Sequence, residues 1–139
     1  MSPSRDTSSS TCRFPKSERL CSRPLIDHLY AHGHKLMAFP YSIHWIPVDP
    51  SGIPCKVLIS TSKRKFHHAV DRNRVKRLTR ECYRRHKHRL FAILNASGIS
   101  ILLSINYIHN EIMDSAQLEH KFDKLIPQLE KSIQEHLHS

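Results

Sequence analysis

Residues 63–89 carry 12 lysines and arginines but only two acids, Asp71 and Glu81. A segment this cationic can bury only a narrow stripe of its surface, so it must present the remainder to water or to a polyanion. The whole sequence has 22 basic and 12 acidic residues, which leaves ten of each outside this stretch. The formal charge of +10 is therefore one local patch, and it implies nucleic acid or an anionic membrane surface as partner. A chain of 139 residues suffices for one domain with a modest core.

The patch has helical periodicity from about residue 71 to about residue 90. On a wheel of about 100° per residue, Val75, Leu78 and Cys82 form the stripe to be buried. Asn73, Lys76, Arg77, Arg80, Arg84 and Lys87 fall on the opposite arc, flanked by Arg72 and Arg74. An ordinary solvated helix mixes lysine with glutamate, whereas here acids are nearly absent. A membrane-surface helix would carry large aromatics on its apolar face, and this one lacks them. Lys63, Arg64 and Lys65 add three cations just before the helix. Guanidinium forks suit bidentate phosphate binding, so the arrangement favours folded RNA as the partner.

The rest of the chain supplies a small scaffold. Residues 1–13 are rich in serine and threonine and are expected to form a disordered tail, with the domain spanning residues 14–137. Residues 23–32 read as a short helix with Pro24 in its first turn and Gly33 as its stop. Residues 41–46 alternate as a strand, placing Tyr41, Ile43 and Trp45 on one face. Turn residues at 49–52 lead to a second strand at 55–62, and the two are expected to pair as a hairpin. The apolar run at 99–107 suggests a buried strand. A last helix begins at a capping box of Asp114 and Gln117, and Pro127 is expected to kink or split it. The order helix, strand, strand, helix, strand, helix describes one α+β domain with three or four strands.

Several chemistries find no support. Cys12, Cys21, Cys55 and Cys82 are too scattered for a zinc ribbon or a redox pair and fit a reducing cytosol. No segment approaches a membrane span, so a cytoplasmic protein is expected. Three His-x-His pairs, at residues 32 and 34, 86 and 88, and 136 and 138, lack a carboxylate or cysteine to complete a metal set. No acids cluster as a protein nuclease would require, and no catalytic side chain is assigned. A structural RNA- or DNA-binding protein without an enzymatic partner would account for the charge.

The segment from Ala69 to Glu81, centred on Arg72-Asn73-Arg74 and followed by Lys76-Arg77, is similar to the signature of the bacterial ribonuclease P protein component. Arg19-Leu20, and the strand from Lys56 to Ser62-Lys63-Arg64, stand in the order of that family. The resemblance implies a fold like the second domain of ribosomal protein S5, with a left-handed βαβ crossover. It further implies an accessory subunit of an endoribonuclease whose active site and magnesium ions belong to an RNA. The partners would be that ribonuclease P RNA and precursor tRNA, whose 5′ leader is removed; neither membrane nor DNA is expected. Carried over residue by residue, Arg72, Asn73, Arg74, Lys76, Arg77, Arg80 and Arg84, with Lys63, Arg64 and Lys65, would dock on the catalytic RNA. Ile26, Tyr30, Tyr41, Ser60 and Ser62 would contact the leader. Of these, Tyr30 can stack on a base and Ile26 cannot. For Tyr30 and Tyr41, simple core packing explains the residue equally well.

Overall fold

The computed structural model describes residues 15–50 and 52–138. The serine-rich tail of residues 1–13 lies outside the described residues. After a 3-10 turn at Lys16–Glu18, the elements are α1 (Arg23–His32), β1 (His34–Ala38), β2 (Tyr41–Val48), β3 (Cys55–Thr61), α2 (Ala69–Ser97), β4 (Ser100–Tyr107) and α3 (Ser115–Leu137). The strands form one sheet in the order β1-β2-β4-β3.

The expected hairpin of β2 and β3 does not form. β4 lies between them, antiparallel to β2 and parallel to β3. Residues 100–105 of β4 are all buried. A strand this apolar needs cover on both faces, and here α2 and α3 cover Ile101, Leu103 and Ile105 while Leu20 and α1 cover Leu102. The hairpin partner of β2 is instead β1, joined through Phe39 and Pro40. β1 escaped notice because Lys35 and Met37 are exposed and its apolar alternation is weak.

Register then sorts the side chains into two layers. Tyr41, Ile43, Trp45, Val57, Leu103, Ile105 and Tyr107 face α2 and α3 and build the main core with Val75, Cys82, Phe122 and Leu129. On the other face, Leu102 packs with Leu20 and Leu29, bordered by Ile26, Ile46, Val48 and Leu58, beneath α1. The sheet is thus sandwiched between two long helices and one short one.

Local chemistry sets the helix ends. Ser22 caps α1 by accepting a hydrogen bond from the Leu25 N–H, with Pro24 in the first turn. Gly33 ends α1 in extended backbone, and its need is steric: a Cβ there would lie 2.4 Å from the Leu29 carbonyl oxygen. Gly98 ends α2 with φ +71°, a conformation costly for other residues. Both halves of the Asp114–Gln117 capping box are present at α3. Pro127 lies inside α3 without splitting it. Its neighbours Leu125, Ile126, Leu129 and Ile133 are buried in the core, and that packing offsets one missing backbone bond.

α2 extends well past the expected end at about residue 90, and over 29 residues its buried stripe drifts. It begins at Val75, Thr79 and Cys82 and continues through Tyr83, Lys87, Leu90 and Leu94. Lys87 is therefore not on the outer arc. It is 2% exposed, and its Nζ lies 2.7 Å from Glu18 Oε1.

Candidate nucleic-acid interface

The cations of α2 fall into two classes that the sequence does not separate. Arg85 and Arg89 reach across to α3, where Arg85 donates to Glu119 at 2.8 Å and Arg89 to Glu130 at 3.0 Å. His86 joins the same seam: its Nδ1 bonds the Cys82 carbonyl, and its Nε2 lies 2.9 Å from Asp123 Oδ1 and 3.2 Å from Glu119 Oε2. Folding thus brings two carboxylates to a histidine for which the sequence offered none. Together with the buried Lys87, these residues fasten helices and the N-terminal segment to one another.

The other class faces outward. Asn73, Arg74 and Arg77 are exposed, and Lys76, Arg80 and Arg84 partly so. Among the described residues, Arg74, Lys76, Arg77, Arg80 and Arg84 form no ion pair. Val70, 77% exposed, joins Asn73, Arg74, Arg77 and Arg80 around a depression of about 430 Å³. Arg72 is partly committed elsewhere: its Nη1 donates to the carbonyls of Phe66 at 2.7 Å and His67 at 3.0 Å, holding the basic turn against the helix. Within that turn Lys63, Arg64 and Lys65 are all exposed, and Ser62 Oγ accepts from the Arg64 N–H. β3 ends at Thr61, so Ser62 belongs to the basic turn and not to the sheet surface where leader contact was expected.

A second surface lies on the α1 face of the sheet. The Tyr30 hydroxyl is 2.6 Å from Ser104 Oγ and donates to Asn106 Oδ1 at 3.0 Å, while Ser60 Oγ donates to the same Asn106 oxygen. The Tyr30 ring, 41% exposed, meets the His44 ring edge-on. Burial, with Lys35 adding to it, holds His44 below its ordinary pKa, so the imidazole is neutral there at pH 7. Ile26 is half-buried beside Leu29 and Leu102 and contributes packing. Tyr41 must be removed from this surface. It is fully buried on the opposite face, its hydroxyl 2.8 Å from Thr79 Oγ1, and burial raises its pKa strongly. Strand alternation turns residues 41 and 60 to different sides of one sheet.

Sequence reasoning missed His44, Ser104 and Asn106. A period-2 reading of β4 would have found the last two, since Leu102, Ser104 and Asn106 alternate with Ile101, Leu103 and Ile105.

Ribonuclease P is the family whose model matches residues 14–130 of this chain. The chain belongs to the ribonuclease P protein family. It is 32% identical over 119 residues to the ribonuclease P protein component of Porphyromonas gingivalis, covering 85% of this chain and 87% of that one. The corresponding protein of Chromohalobacter salexigens is 30% identical over 128 residues, covering 86% and 88%. The fold is similar to the RNase P proteins of Staphylococcus aureus (TM-score 0.59, 20% identity, 82% and 96% covered) and Thermotoga maritima (TM-score 0.57, 20% identity, 80% and 96% covered). Family membership makes the chain the protein subunit of ribonuclease P, an accessory component of an endoribonuclease of tRNA processing, and implies a ribonuclease P RNA as its partner. No helix among the described residues is long and apolar enough to cross a membrane.

Proposed function

We propose that this ribonuclease P protein uses its two surfaces for two RNAs. The outward cations of α2, with the Lys63–Arg64–Lys65 turn, dock on the catalytic RNA. The α1 face around Tyr30 holds the single-stranded 5′ leader of precursor tRNA. The observation that carries this division is the contrast between the surfaces. One is a row of cations whose arginines on α2, Arg74, Arg77, Arg80 and Arg84, form no ion pair among the described residues, suited to the dense phosphates of a folded RNA. The other is an exposed tyrosine ring above hydroxyl and carboxamide groups, suited to a stacked, hydrogen-bonded base.

The chemistry belongs to the RNA, with magnesium ions at its active site. The protein orients the leader and neutralises phosphate charge where the two RNAs approach. No catalytic side chain is assigned, the site of action is the cytoplasm, and DNA is not a partner.

Reconstitution tests this. The protein alone should leave precursor tRNA intact, and with a bacterial ribonuclease P RNA it should lower the magnesium needed for cleavage. Tyr30→Ala should weaken binding of leader-carrying substrate by about 1–3 kcal/mol, the usual worth of one stacked base, while mature tRNA binds as before. Cleavage by RNA-free protein, or equal losses for both tRNAs, would overturn the assignment.

A further inference from the structure

The seam between α2 and α3 gathers three side chains that neither RNA surface uses. His86 stands on α2, and Glu119 and Asp123 stand about one turn apart on one face of α3. The His86 Nε2 lies 2.9 Å from Asp123 Oδ1 and 3.2 Å from Glu119 Oε2. One ring nitrogen and one oxygen from each carboxylate thus lie within 4.8 Å of one another. The other atoms of the set are held from behind. A carbonyl can only accept, so the 2.8 Å bond between His86 Nδ1 and the Cys82 carbonyl places a proton on Nδ1. Arg85 occupies the second Glu119 oxygen, Oε1, at 2.8 Å. The Phe122 ring packs against the imidazole with 5.7 Å between centroids.

With Nδ1 protonated, only two states of Nε2 suit this frame. If Nε2 also carries a proton, the cluster is an ion pair in which a single N–H is divided between two carboxylates. If it does not, its lone pair faces two anions, an unfavourable arrangement that a dication at the same point reverses. The supports are those of a metal site. A ligating imidazole is ordinarily fixed by donating its other N–H to a carbonyl or carboxylate, and ligating carboxylates are held by hydrogen bonds of their own. Ligand atoms about 2.1 Å from a shared zinc ion, at tetrahedral angles, lie about 3.4 Å apart. The two separations to Nε2 therefore need to open by only a few tenths of an ångström. Asp123 is exposed, so its carboxylate can swing toward Glu119, the ion has a path from solvent, and water can fill the fourth position.

We propose that His86, Glu119 and Asp123 bind one zinc ion, which ties α2 to α3 on the seam already spanned by the Arg85–Glu119 and Arg89–Glu130 pairs. Magnesium and calcium prefer oxygen ligands, whereas an imidazole with two carboxylates suits zinc. The ion takes the place of the proton at Nε2, so zinc and proton compete and binding weakens as the pH falls. Because the three ligands come from two helices, only the folded chain presents them together, and zinc stabilises that fold by mass action. The site does not depend on which RNA either surface holds.

The experiment titrates zinc chloride into the metal-free full chain by calorimetry, comparing wild type, His86→Gln, Asp123→Ala and His28→Gln. The last is a control, because His28 and His32 stand one turn apart on α1, with 4.9 Å between ring centroids, and are the competing histidine pair. Wild type and His28→Gln should share one tightest site of equal affinity. Zinc at about 100 times its dissociation constant should raise the melting temperature of both by about 10 °C. A contact that merely supports a ligand is worth about 10–100-fold in affinity, so losing a ligand should cost at least about tenfold. His86→Gln and Asp123→Ala should both show that loss and give a smaller melting shift at the same zinc concentration. Excess magnesium chloride should not displace the zinc. No saturable binding, an unchanged affinity in Asp123→Ala, a loss in His28→Gln, or displacement by magnesium would each overturn the site. Asp123 is exposed and mid-helix, so Asp123→Ala leaves the core intact and keeps the test decisive even where His86→Gln disturbs the seam.

Discussion

Four arginines of α2 provide a controlled comparison, because each contributes one charge to the same helix and only their surroundings differ. Arg77 and Arg84 face outward without ion pairs among the described residues, whereas Arg85 and Arg89 are bound to Glu119 and Glu130 of α3. Replacing each singly with glutamine lowers the net charge equally. If affinity for ribonuclease P RNA depended on net charge alone, all four variants would weaken it alike. Direct phosphate contact gives a different result. Each lost contact removes about 0.9 released counterion, which at 0.15 M salt is about 1 kcal/mol, or about fivefold in affinity. Arg77→Gln and Arg84→Gln should each show that loss, with a salt slope shallower by about 0.9. Arg85→Gln and Arg89→Gln should keep the wild-type slope within error and lose at most about 1 kcal/mol of stability, as exposed ion pairs do. Filter binding or fluorescence anisotropy across a salt series reads both quantities. Four indistinguishable slopes would refute the claim that tertiary pairing sorts these cations.

Other outcomes follow from the same structure. Lys87→Met should destabilise the fold by about 3–5 kcal/mol in denaturant titration, because Glu18 is left half-enclosed without its cation, and Glu18→Leu added to it should restore much of the loss. Gly33→Ala should cost about 1–3 kcal/mol, since its Cβ meets backbone oxygen and not a yielding side chain; a neutral melt would show that α1 shifts freely. Burial pushes the Cys55 thiol up to about 12 and Cys82 to about 11, so mass spectrometry should find both unalkylated in folded protein at neutral pH and modified after denaturation. Both thiols keep their protons longer folded than unfolded. Their contribution to stability is therefore intact below pH 9.0 and should fall as the pH rises toward 11–12.

Much of the scaffold was legible from local chemistry. The boundaries of α1, the capping box at α3 and the shared face of Tyr41, Ile43 and Trp45 depend on neighbours within a few residues, and they stand as the sequence implies. Strand pairing was not legible. An alternating strand specifies its faces but not its partner, so the insertion of β4 between β2 and β3 depends on what covers both sides of residues 100–105.

The same boundary runs through the RNA surface. The sequence alone determined that the charge is concentrated in residues 63–89, that it rides on an amphipathic helix, and that the signature is that of a ribonuclease P protein. Those properties follow from composition and a 3.6-residue period. Only tertiary structure decided which cations are available to RNA, because pairing depends on acids 34 to 69 positions away: Glu119 for Arg85, Glu130 for Arg89 and Glu18 for Lys87. It also moved Tyr41 into the core while Tyr30 stayed at the surface, since sheet packing gave those two rings opposite faces.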